Sequence, residues 1–148
     1  MTMRRAIPRS HEHDLLVLVS QVRSEMLGRV EHELAEVGVE NYIVYVGLKR
    51  LGMQGPMTVA ELAAALRQDR ATMRRTCAQL ERQGHIRRLA GTRTARYGLT
   101  DGGRALLAQA QARGDQALKR CVAGASPDEV VQLSGALGRF LGHLRSAA

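Results

Sequence analysis

Residues 11–37 space their apolar side chains as only a helix can use them. Leu15, Leu16, Val19, Val22, Met26, Val30, Leu34 and Val37 recur mostly at three- and four-residue steps, which places them on one stripe. Glu12, Arg23, Glu25, Arg29, Glu31, Glu33 and Glu36 fall on the polar side, and Gly38 suits a left-handed stop. At the rise of an α-helix this segment is about 40 Å long. A chain of 148 residues holds one ordinary domain and is short for two cores. Such a domain cannot bury the whole stripe, so the pattern predicts packing against a second copy of the chain.

A second helix is expected from Glu40 to Leu51, closed by Gly52, with Gly55-Pro56 breaking the chain after it. Thr58 and Glu61 form a capping box that opens a short helix over Val59–Leu66. Arg67-Gln68 makes a turn, Asp69 caps, and a further helix is expected from Arg70 to Gln83, ending at Gly84. The period then drops towards two in His85–Leu89 and Arg96–Leu99, a hairpin whose tip is Ala90–Ala95. Helices are expected again over Asp101–Val122 and after Ser126, where Pro127 and Glu129 complete the start signal. The fold class is mainly α with a small β-hairpin: helix, helix, helix–turn–helix, hairpin, helix, helix.

Charge narrows the partner. Of a net +8, residues 58–99 carry nine arginines against three acids, while 11–57 are slightly acidic. A cationic excess held on the helix–turn–helix and hairpin is the footprint of a module that meets a polyanion. Other classes fall away. Two cysteines cannot build a disulfide framework, and no apolar run approaches the length that spans a bilayer. The basic start MTMRRAIPRSHEHD has no uncharged segment of signal-peptide type after it. Residues 1–10 are expected to be a mobile basic tail, and the protein to work in the cytoplasm.

The helix after Asp69 carries the recognition chemistry. With Met73, Cys77 and Leu80 turned inward, the opposite face shows Ala71, Thr72, Arg75, Ala78, Gln79 and Arg82, with Arg74 on its edge. Small residues let a helix approach the floor of the major groove. Arg offers two donors to guanine, and Gln can pair with adenine. Arg93 near the hairpin tip, with Arg96 at its base, suits the negative potential of a narrow minor groove.

Four stretches in order, Gly55–Ala63, Asp69–Arg75, Leu80–Gly84 and Leu99–Arg104, resemble the multiple-antibiotic-resistance-regulator (MarR) family of winged-helix transcription factors. The resemblance implies one domain over 11–148. Within it, 11–37 and 101–148 are dimerisation helices, and 40–100 is a winged helix–turn–helix that binds double-stranded DNA. It implies a homodimeric, ligand-responsive repressor on a pseudo-palindromic operator, not an enzyme, with Arg70, Thr72, Arg74 and Arg75 at the DNA-reading start of the recognition helix. The wing departs from the family pattern of an Asp followed by two Arg. Here Gly91-Thr92-Arg93-Thr94-Ala95-Arg96 is shorter and lacks the acid.

By the same likeness a small aromatic or anionic effector would bind between the dimer and DNA lobes. Tyr42, Tyr45, Arg23 and His32 are the candidates there. Two alternatives stand beside this reading: a non-specific or architectural nucleic-acid binder, and a redox-controlled repressor using Cys77 and Cys121. Peroxide-sensing relatives carry a cysteine early in the first helix, and this chain has none there. His11-Glu12-His13 lacks the further ligands of a metal site. No cofactor and no catalytic residue is expected.

Overall fold

Each of the six helices found among the described residues opens on a side chain that satisfies free backbone donors. In the computed structural model, which describes residues 10–91 and 93–147, these caps are Ser10, Asn41, Thr58, Asp69, Thr100 and Ser126. They begin α1 (His11–Ala35), α2 (Tyr42–Gln54), α3 (Val59–Leu66), α4 (Arg70–Arg82), α5 (Asp101–Val122) and α6 (Pro127–Ser146). Both expected capping boxes, Thr58/Glu61 and Ser126/Glu129, form with reciprocal hydrogen bonds. Such caps are each worth about 1 kcal/mol. The tail expected over residues 1–10 lies outside the described residues except for Ser10.

Three strands, β1 (Met57–Thr58), β2 (Ile86–Leu89) and β3 (Arg96–Leu99), make an antiparallel sheet in the order β1-β3-β2. The expected hairpin is β2–β3, with Ile86 opposite Leu99 and Leu89 opposite Arg96. β1 pairs Met57 with Tyr97 and was not expected. A two-residue strand shows no periodicity.

The second helix also differs from expectation. It starts at Tyr42, on the Asn41 cap, and runs through Gly52 to a stop at Gly55. Gly52 is a packing glycine, since a Cβ there would lie 2.9 Å from Leu107 Cδ2 on α5. A similar reason explains one of the two glycines in the first turn of α5, Gly103. A Cβ on Gly103 would overlap the His85 carbonyl, so only glycine lets α5 start against the end of the α4–β2 turn. Thr100 N donates to that same carbonyl at 3.1 Å. Wing, α4 turn and α5 meet there.

The core joins the last turns of α1 to α2, α3, α4, the sheet and α5 as far as Ala117. Leu34, Leu48, Leu62, Ile86, Val39 and Cys77 are its fully enclosed side chains. The rest of the molecule is left open. Leu16 and Leu18 on α1 are 64% and 58% exposed, and Val131, Leu133 and Leu144 on α6 are 70%, 57% and 53% exposed. Among the described residues, α6 buries none. Between α1, α5 and α6 runs an apolar cleft of about 610 Å³, walled by Leu18, Val22, Met26, Val122, Leu133 and Leu137.

Candidate nucleic-acid interface

Asp69 sets the start of α4. Its carboxylate accepts from Thr72 N at 2.7 Å and from Thr72 Oγ1 at 2.6 Å. These bonds, from the Thr72 hydroxyl first, hold its carboxyl below the usual range. Thr72 Oγ1 in turn accepts from Arg75 Nη2 at 3.3 Å. One cap thus fixes Thr72 and steers Arg75.

Met73, Cys77 and Leu80 are buried and anchor α4 to the core. The other face stands free, with Ala71, Arg70, Arg74, Arg75 and Arg82 all exposed. Among the described residues, none of these four arginines is ion-paired, and α4 as a whole carries one acid, Glu81. Gln79 lies on the same face as Thr72 and Arg75. Its Nε2 donates to Glu40 Oε2, from the α1–α2 connection, at 3.1 Å.

The wing divides its arginines. Arg96 is held by Glu61 through both guanidinium nitrogens, at 3.1 and 3.2 Å, and donates to the Pro56 carbonyl at 3.1 Å. Arg88 donates to the Tyr97 hydroxyl at 3.0 Å and lies 5.6 Å from that ring's centroid. Arg87 and Arg93 remain exposed. Through its bonds to Arg96, Glu61 on α3 braces the wing. No sequence signal marks that pairing, because its partners lie 35 residues apart.

Of the four effector candidates, His32 lines a cleft that does not include the other three. Tyr42 and Tyr45 are paired, with ring centroids 6.0 Å apart. Tyr45 is buried against α5, and burial, with Asp115 nearby, pushes its hydroxyl pKa up. His32 lines a separate cleft of about 320 Å³ with Gly28, Arg29, Glu33, Ala117 and Arg120. There, burial raises and Arg113 and Arg120 lower the Glu33 carboxyl, with a net fall. Arg23 is exposed on α1, seven residues before Val30.

Cys77 is 1% exposed, and burial pushes its thiol up to about 11. It is a core side chain. Cys121 lines the apolar cleft beside α6. Among the described residues, no group of His, Cys, Asp or Glu is placed to hold a metal ion, and no helix is long and apolar enough to cross a membrane.

A short helix, a turn, a cationic second helix and a three-stranded wing define a winged helix–turn–helix protein. Residues 44–96 match the MarR family model. Those residues, which run from α2 through α3 and α4 to the start of β3, are a MarR-type module. Its structure is similar to a MarR-family transcriptional regulator from Rhodococcus sp. RHA1, at 26% identity and a TM-score of 0.76, over 88% of this chain and 94% of that one. The same fold recurs in a MarR family protein from Bacillus stearothermophilus, at 18% identity and a TM-score of 0.79, over 95% of this chain and 99% of the other. It recurs too in a cysteine-to-serine mutant of MarR from E. coli complexed with operator DNA, at 23% identity and a TM-score of 0.76, over 86% and 94%. No curated protein matches the chain.

Proposed function

We propose that this protein is a homodimeric, sequence-specific regulator that binds a pseudo-palindromic operator and represses by occupying it. The observation that carries the reading is the free face of α4. Arg70, Arg74, Arg75 and Arg82 are exposed and, among the described residues, without ion-pair partners, on a helix whose start is fixed by Asp69. Unneutralised arginines on a rigid rod suit guanine edges and phosphates. Thr72 shapes this array by holding Arg75. On the wing, Arg93 is the residue free to enter the minor groove, while Arg96 holds the wing in place. Gln79, on the same face, reads a base edge.

Residues 11–148 act as one domain in this reading. The open faces of α1 and α6 meet those of a second copy, which sets two α4 helices about one DNA turn apart. Their exposed leucines and valines support this, since such a surface is costly to leave in water. A small aromatic or anionic effector would shift the pair to a spacing that no longer fits. The Tyr42–Tyr45 pair offers it an aromatic wall, with Arg23 as a cation and His32 as a hydrogen-bonding group on α1.

Selection of bound duplexes from a random pool, with sedimentation of the free and bound protein, tests this. A recovered palindrome bound by two chains is the expected result. Enrichment of no sequence, with equal affinity for any duplex, would leave a non-specific binder. Thermal shift and DNA release across a panel of aromatic acids tests the effector, and no response from any member would remove it.

A further inference from the structure

Glu40 sits on the wall of the recognition face, and the operator-binding reading does not use it. A cleft of about 250 Å³ separates the α1–α2 corner from the side of α4 that shows Thr72, Arg75 and Gln79. Glu40 is the one acidic side chain among the residues lining it. The corner is stiff on both sides of Glu40. Gly38 turns the chain with φ +84, Val39 is fully buried and its N–H donates to Leu34 O at 3.0 Å, and Asn41 caps α2 through Val44 N at 3.0 Å. The carboxylate also stands at the positive end of α2, which favours it there. From this fixed point it accepts from Gln79 Nε2 at 3.1 Å, across 39 residues of chain.

The chemistry of that bond is one-sided. A glutamine amide has a donor end and an acceptor end that exchange places on a half-turn of the terminal torsion. A carboxylate accepts only. Turning the amide over would aim its carbonyl oxygen at a carboxylate oxygen, which is repulsive. We propose that Glu40 is a specificity-determining residue: it fixes the polarity of the Gln79 amide, so that Oε1 is kept for a base bearing an exocyclic amine. In the major groove those bases are adenine, through N6, and cytosine, through N4. Guanine and thymine offer acceptors at the equivalent edge and are disfavoured.

The inference rests on the operator-binding reading, and the test separates the two. Duplexes are selected from a random pool by the wild type and by Glu40→Gln, Glu40→Ala and Glu40→Lys, with Gln79→Ala as reference and thermal melting as a check of folding. The wild type is expected to show, at one position of each half-site, about a tenfold preference for adenine or cytosine on the contacted strand. Glu40→Gln keeps a hydrogen-bonding tether but lets the amide turn, and is expected to reduce that preference to about twofold. Glu40→Lys donates to Oε1 and is expected to turn the preference towards guanine or thymine. In the Gln79→Ala background, Glu40→Gln changes nothing.

A wild type that enriches no motif would overturn the operator-binding reading and this inference with it. A clear wild-type motif that Glu40→Gln leaves unchanged would overturn the inference alone, because a purely structural tether survives in that variant. The same holds if Glu40→Gln alters the motif equally with and without Gln79.

Discussion

Glu61 and Arg96 meet through both carboxylate oxygens and both guanidinium nitrogens, at 3.1 and 3.2 Å. The same carboxylate accepts from Thr58 N at 2.9 Å, as half of the box that opens α3. One side chain therefore ties the start of the helix–turn–helix to the last strand of the wing.

Arg96→Ala should loosen the wing without removing a DNA contact. Both partners are about 40% exposed, so the melting temperature should fall by only about 2 °C at moderate salt. DNA affinity should fall while its salt dependence keeps the same slope. Arg93→Ala should instead reduce that slope by about one. Titrations at several salt concentrations distinguish the two variants.

The acid limb of stability has a definite sign. Glu61 is held low first by the Thr58 N–H and then by Arg96, Asp69 by Thr72, and Asp101 by Arg104. Groups whose folded pKa is depressed contribute stability above their unfolded values and lose it as pH falls through the folded ones. Stability should therefore be flat above about pH 5 and fall progressively below about pH 4. Urea melts across pH 2.5–7 measure this, and a rise in stability on acidification would contradict it.

In the core, Leu48→Ala should cost about 2–5 kcal/mol. Leu48 is fully enclosed on α2 and has no free surface into which the cavity could relax. Equilibrium denaturation should show a lower midpoint with an unchanged slope.

Much of this was readable from the chain, because local chemistry carries local structure. The caps at Thr58, Asp69 and Ser126 depend on a partner three residues away, and all three formed. The buried side of α4 followed from the spacing of Met73, Cys77 and Leu80. What was missed depends on distant partners. Gly52 looked like a stop because its reason for being glycine, Leu107, comes 55 residues later. β1 exists only by pairing with β3. Glu61–Arg96 and Glu40–Gln79 join segments whose nearness only the fold creates.

The open faces of α1 and α6 give a solution test. Leu137→Glu places a charge in the apolar cleft between α1, α5 and α6. It should yield a folded monomer by sedimentation, with affinity for a two-half-site duplex reduced by well over tenfold. A variant that stays dimeric would exclude this face as the contact.

Thiol chemistry should distinguish the two cysteines. With its thiol near 11 and its side chain enclosed, Cys77 should resist a disulfide reagent at pH 8 until the protein is unfolded. Mass spectrometry of the labelled peptides reads this directly. Rapid labelling of Cys77 in the native state would reopen a redox role.

Gly103 presses the first turn of α5 onto the His85 carbonyl, with Thr100 bonded to the same oxygen. No slack is left between the reading helix, the wing and the long helix that leads away from them. In the proposed dimer, a torque on α5 would arrive at the DNA as rotation of the entire lobe, never as a bend within it. Spacing between two such lobes could then be regulated only by where their long helices lean on each other.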